Sequence, residues 1–161
     1  MAGKSKSILR ILTVVSIVAT LCVYVVVGFS VYTLTSSIAG TLMDLTGAPE
    51  ELFEATTDPA GGLTLTLRFT AKNPGLMEVS AASNLVLLSV DGEVIVEGSD
   101  VERIPSGSSR ELVVSLHVSA EDAEMFETSP PVIRLQFECR TLLDLIGLAI
   151  SIEIGGEAPP P

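Results

Sequence analysis

The chain has 161 residues, a mean hydropathy of +0.54 and a formal net charge of −11. This acidity disfavours nucleic acid as a partner, because the phosphates would be repelled. Aromatic residues make up 4% of the chain and tryptophan is absent, which disfavours a surface that stacks sugars or bases. Cys22 lies in the long apolar run near the N-terminus and Cys139 in a segment with the alternation of a strand. The sequence therefore predicts no disulfide within the folded domain.

The N-terminus has the charge pattern of a membrane anchor. Lys4, Lys6 and Arg10 precede a run of thirty-three uncharged residues, 11–43, and all twenty carboxylates follow that run. Its densest apolar part, 11–34, would reach roughly 36 Å as a helix, which is enough to cross the hydrocarbon with some tilt. We therefore expect a single-pass membrane protein with the bilayer as a partner.

Short basic flanks stay on the cytoplasmic side of a span, so the sequence predicts a cytoplasmic N-terminus and an exocytoplasmic C-terminal domain. The exported part keeps six basic residues against twenty acids, a net charge of −14. The expected segments are a basic head (1–10), a transmembrane anchor (11–38), a juxtamembrane linker (39–52), a folded domain (53–154) and a flexible tail (155–161).

A cleaved secretion signal is the alternative for this N-terminus. Ser37, Ala39 and Gly40 form a small-residue pattern that a signal peptidase could accept after Ala39. A secretory apolar region is usually about 7 to 15 residues long, and this one is much longer. Its length favours a retained anchor.

The exported part alternates apolar and polar residues with a period of two, which indicates strands with one face toward a core. Inward positions are expected to include Leu67, Phe69, Leu116, Leu135 and Phe137. The four segments with the clearest alternation are 63–71, 112–118, 133–140 and 148–154.

Asp91-Gly92 lies between two further apolar segments and predicts a hairpin, expected as a type I′ turn. These two segments, 84–90 and 93–97, are apolar on both faces. They are either covered by a neighbouring element or line an apolar groove. If they line a groove, Val86, Leu88 and Ile95 are its candidate lining residues.

A short helix is expected near 120–127, with Ser119 as its N-cap and Asp122 at the capping-box position. Residues 53–57 predict one more strand. About seven strands and one helix after an apolar span indicate an all-β domain, a β-sandwich of the immunoglobulin or fibronectin type preceded by a transmembrane helix. Residues 50–154 are expected to fold as a soluble unit by themselves.

Three segments resemble the folded late embryogenesis abundant domain, also called the water stress and hypersensitive response (WHy) domain. They are LTLTLRFTAKNPG at 63–75, the paired strands around Asp91-Gly92, and IPSGSS at 104–109 leading into 111–118. The resemblance covers 63–154. The family has an Asn-Pro-Asn motif near the start of the domain, and here Asn73 and Pro74 are followed by Gly75.

The resemblance implies a β-sandwich with a small helix, often behind a membrane anchor, and a role in stress protection or, for some members, lipid binding. The residues themselves suggest a structural motif. Pro74 moves Asn73 out of the helical region, the Asn73 side chain can bind backbone groups of a turn, and Gly75 is expected to accept a positive φ.

Residue types that could carry chemistry are scattered. His117 is the only histidine and falls on the polar face of a strand, so zinc ligands of the usual kind cannot be assembled. Asp91 with Glu93, or Asp100 with Glu102, could offer oxygens to calcium, but without the spacing of a dedicated loop. We expect no enzyme, no cofactor and no metal.

Three functions remain open from the sequence. The first is a non-catalytic, membrane-anchored domain with a protective or structural role. The second is a module that binds or transfers a lipid or another apolar ligand. The third is a subunit that binds a protein partner through the edges of its sheets or through its span.

Overall fold

A computed structural model describes residues 2–47, 52–126, 129–142 and 144–155. The elements in chain order are α1 (Ala2–Gly47), β1 (Phe53–Thr57), β2 (Leu63–Asn73), β3 (Val79–Leu88), β4 (Val94–Ile104), β5 (Ser108–Val118), α2 (Ala120–Phe126), β6 (Val132–Thr141) and β7 (Ile146–Ile154). The expected tail lies outside the described residues from 156 onward.

The strands form two antiparallel sheets, one in the order β1-β2-β5 and the other in the order β4-β3-β6-β7. Each sheet turns one apolar face to the other, as the period-two pattern requires. The predicted β-sandwich of about seven strands, with a short helix and an N-terminal apolar helix, is confirmed.

The core lies between the sheets and contains the five residues predicted to face inward. Leu67, Phe69, Leu116, Leu135 and Phe137 are each exposed by 4% or less. The rings of Phe69 and Phe137 meet edge to face, with centroids 5.6 Å apart. This arrangement joins the two sheets at their centre.

Helix α1 is longer than the sequence analysis expects. The anchor was expected to end at 38 and to give way to a linker over 39–52, but the helix continues to Gly47, about 69 Å in all. Residues 48–51 of the expected linker lie outside the described residues. The helix continues because one face of its C-terminal third is buried against the sandwich.

Leu34, Ile38 and Leu45 of α1 belong to the same buried cluster as the core residues of the strands. Helix α1 packs against β2, β6 and β7. Strand β1 pairs with β2 only as far as Leu67, and the remainder of β2 lies beside α1. The helix therefore supplies part of the core, and the expectation that 50–154 folds by itself stays a prediction.

Two local predictions have different outcomes. Ser119 caps α2, because the Asp122 amide donates to Ser119 Oγ at 3.1 Å. The Asp91-Gly92 hairpin is present, but of these two residues only Gly92 has a positive φ, 82°. The Gly92 amide donates to the Ser89 carbonyl. The type I′ prediction was wrong, since a turn followed by a left-handed glycine also fits the twist of the strands.

Candidate functional site: the junction of the helix and the sandwich

Asn73 is fully buried at the end of β2, and all four hydrogen-bonding positions of its amide are used. Its Nδ2 donates to the carbonyls of Met77 at 2.7 Å and Ile104 at 2.8 Å. Its Oδ1 accepts from the Gly75 amide at 3.1 Å and from Ser37 Oγ at 3.3 Å. The Asn73 side chain thus connects the loop between β2 and β3, and the end of β4, to helix α1.

The face of α1 toward this junction carries a stripe of four buried hydroxyl residues, which we call the hydroxyl stripe: Ser30, Thr33, Ser37 and Thr41. They are three or four residues apart and so share one side of the helix.

Each hydroxyl of the stripe contacts β2 or the turn after it. Thr33 Oγ1 accepts from the Leu76 amide and Thr41 Oγ1 accepts from the Lys72 amide, both at 3.3 Å. Ser30 Oγ lies 3.5 Å from Met77 Sδ. The stripe therefore satisfies backbone donors that the edge of β2 and its turn present toward the helix.

Gly75 fits against the helix because it has no side chain. A Cβ placed on Gly75 would lie 2.5 Å from Thr33 Cγ2 and 2.7 Å from Thr33 Cα. Gly75 is not among the glycines with a positive φ, so the expectation of a left-handed conformation was wrong. The close approach of α1 explains why residue 75 is a glycine.

An apolar recess of about 560 Å³ opens beside this turn, and we call it the junction recess. Pro74 and Leu76 form its wall on the sandwich side. The wall on α1 consists of Tyr24, Val25, Gly28, Phe29 and Tyr32. Leu76 is 62% exposed although it is a large apolar side chain.

The structure places the three candidate groove residues in different surroundings. Val86 and Leu88 lie on the outer face of β3 and are 7% and 4% exposed. Ile95 has no partner in the pairing of β3 with β4, because the register shifts there. It lines a separate recess of about 240 Å³ with Met125 and Phe126.

Another cavity, of about 610 Å³, lies over the outer face of the four-stranded sheet. Its floor includes Ala82, Asn84 and Gln136, and its rim includes Glu97 and Glu138. Amide, hydroxyl and carboxylate groups thus share its surface with small apolar ones. This lining is more polar than that of a site for a long apolar ligand.

The titratable side chains of His117 and Asp100 each contact a neighbouring strand. His117 is exposed, with Nδ1 3.3 Å from Thr64 Oγ1 on the paired strand. Asp100 Oδ2 accepts from the Val113 amide at 2.9 Å and so connects β4 to β5. Among the described residues, no three of the His, Cys, Asp and Glu side chains lie together as a metal site.

The two cysteines lie apart, with Cys22 exposed on α1 and Cys139 buried in β6. Burial, with a smaller contribution from the charge of Glu138, raises the pKa of the Cys139 thiol to about 12. The thiol therefore stays protonated, and its thiolate is not available as a nucleophile.

Sequence reasoning identified Asn73, Pro74 and Gly75 but missed their partners on α1. The available signal was the spacing of Ser30, Thr33, Ser37 and Thr41 within an otherwise apolar run. Hydroxyl residues repeated on one side of a helix indicate a face that contacts protein.

The sequence matches no protein-family model and no curated protein. Solved structures with a similar fold include a β-glucuronidase of glycoside hydrolase family 2 (11% identity, TM-score 0.44) and a Bacteroides uniformis β-glucuronidase (11%, 0.46). The matches cover 64% and 63% of this chain but only 11% and 12% of those enzymes. A protein from Archaeoglobus fulgidus matches at 10% identity and a TM-score of 0.41, over 63% of this chain and 90% of its own. These similarities concern the fold alone.

Proposed function

We propose that this chain is a non-catalytic, membrane-anchored β-sandwich protein with a protective or structural role of the WHy type. The observation that carries the proposal is the continuity of α1, which runs from the uncharged N-terminal segment into the core of the sandwich. Its part from Thr13 to Met43 contains an 18-residue stretch with a mean hydropathy of 2.5 and is long enough to span a membrane. A domain fixed in this way is held at the bilayer surface and not on a flexible tether.

The same packing supports a retained anchor over a cleaved signal. Cleavage after Ala39 would remove Leu34 and Ile38 from the core, and with them Ser37, which donates to Asn73. The buried carboxamide oxygen would then lose one partner, and apolar core surface would become exposed to water. The domain is thus built to keep its anchor.

Topology is tested with protease on intact cells that carry a tag on the basic head. We expect external protease to digest the sandwich and to leave the tag intact, and alkaline washing to leave the protein in the membrane. Loss of the tag while the sandwich survives would reverse the proposed orientation. Release by alkaline washing would contradict the anchor.

The protective role is tested with vesicles that contain a trapped dye and either the full chain or a chain that ends after Gly47. After drying and rehydration, the full chain should retain more dye than the span alone. Equal retention would contradict a protective role of the sandwich and leave a structural one.

A further inference from the structure

The junction recess joins the sandwich to the part of α1 that a bilayer would cover. Its helical wall, from Tyr24 to Tyr32, lies inside the apolar span, and Tyr24 and Tyr32 are 73% and 57% exposed. Its other wall, Pro74 and Leu76, belongs to the turn after β2. The turn therefore extends the lipid-facing surface of the helix sideways.

The depth of the turn in the bilayer follows from the distance along α1 between the basic head and the recess. Gly28 comes eighteen residues after Arg10, the last basic residue of the head, which corresponds to about 27 Å of helix. The hydrocarbon core of a bilayer is about 30 Å thick. If Arg10 marks one boundary, Gly28, which lines the recess together with Leu76, lies within the opposite boundary.

The charges of the sandwich fit this orientation. The loops at the end away from the recess carry only acids among the described residues: Asp58, Asp91, Glu93, Glu121, Asp122 and Glu124. Of the six basic residues after the head, four lie within three residues of a strand end on the recess side: Lys72, Arg103, Arg110 and Arg140. The recess end also carries Glu78, Glu102, Glu111, Glu138 and Asp144, so its charge is close to balanced, whereas the opposite end is strongly acidic and is the end that anionic headgroups would repel more.

The geometry points to a turn that is inserted in the membrane: Pro74 and Leu76 lie among the acyl chains of the leaflet on the side of the sandwich, and those chains fill the junction recess. This inference rests on the proposed span of α1. It gives the exposed Leu76 an apolar environment and makes the Asn73-Pro74-Gly75 motif a membrane-contacting element as well as a structural one.

The absence of tryptophan makes the test direct. The full chain with Leu76→Trp is reconstituted in vesicles with and without lipids brominated on their acyl chains, which quench only a tryptophan that they touch. Val23→Trp, on the exposed face of the span, reports on the span itself, and Val90→Trp, 60% exposed in the β3–β4 hairpin, is the matched control on the opposite end. A second probe is a fluorophore on Leu76→Cys in a Cys22→Ala background.

We expect both Leu76 probes to lose emission with brominated lipids to an extent comparable with Val23→Trp, while Val90→Trp does not change. Quenching at Val23 without quenching at Leu76 would overturn the inserted turn and leave the span. The inference would also fail if the Leu76 probes were blue-shifted but not quenched, as when a second copy of the chain covers the recess. Lack of quenching at Val23 would overturn the span and the inserted turn together.

Discussion

Thr33 of α1 occupies the space that a side chain at residue 75 would need, so close that a Cβ on Gly75 would lie 2.5 Å from Thr33 Cγ2. Because the backbone of the helix is nearly as close, a rotamer change of Thr33 cannot relieve the contact. The turn of the sandwich and the helix thus fit each other only with glycine at this position.

Gly75→Ala should destabilise the protein by about 1 to 3 kcal/mol, the usual cost of overpacking. Gly40→Ala is the matched control on the same interface, because its Cβ would meet Lys72 Cβ at an ordinary 3.7 Å and alanine favours the helix. Thermal unfolding of the full chain in detergent measures both. A Gly75→Ala variant as stable as Gly40→Ala would mean that the helix does not pack against this turn.

Asn73→Asp should cost about 3 to 5 kcal/mol, because a buried carboxylate would face the Met77 and Ile104 carbonyls without a proton to donate. Asn84→Asp, half-buried on the outer face of β3, should cost about 0.5 kcal/mol. Denaturant unfolding of the two variants tests the difference. Equal costs would contradict the central position of Asn73 in the hydrogen-bond network.

Phe137→Ala should cost about 3 to 5 kcal/mol, since the ring is 1% exposed and packs on Phe69. Its neighbour Gln136 points to the opposite face and is exposed, so Gln136→Ala should cost under about 0.5 kcal/mol. The comparison of unfolding midpoints checks the register of β6. A one-residue slip would reverse the order of the two costs.

Alkaline pH should destabilise the fold through Cys139. The thiol has a pKa of about 12 in the folded protein against 9.0 as its ordinary value, so its contribution to stability is complete below pH 9 and falls as the pH rises toward 12. Cys139→Ala should show a smaller loss of stability over this range than the parent chain. Parallel pH profiles of the two proteins would contradict the burial of the thiol.

The strands were predictable because one face of each packs on a core and the other meets water. Apolar and polar residues therefore alternate with a period of two along the sequence. The packing of α1 was not, because lipid and protein core both select apolar residues, and Leu34 and Ile38 look alike in either environment. The position of Ile95 was not predictable for another reason: a register shift between two apolar strands leaves no trace in their composition. Asn73 was recognisable from the adjacent proline, but its contact with Ser37 required the long-range fold.

Two truncations of the chain measure directly whether α1 is part of the core of the sandwich. One begins at Gly28 and keeps Leu34, Ile38 and Leu45, and the other begins at Glu50 and lacks them. We predict that the longer fragment unfolds cooperatively with a stability near that of the full chain. The shorter fragment should be less stable by several kcal/mol, as expected for the loss of three buried aliphatic side chains. Equal stability of the two fragments would contradict a core shared between helix α1 and the sandwich.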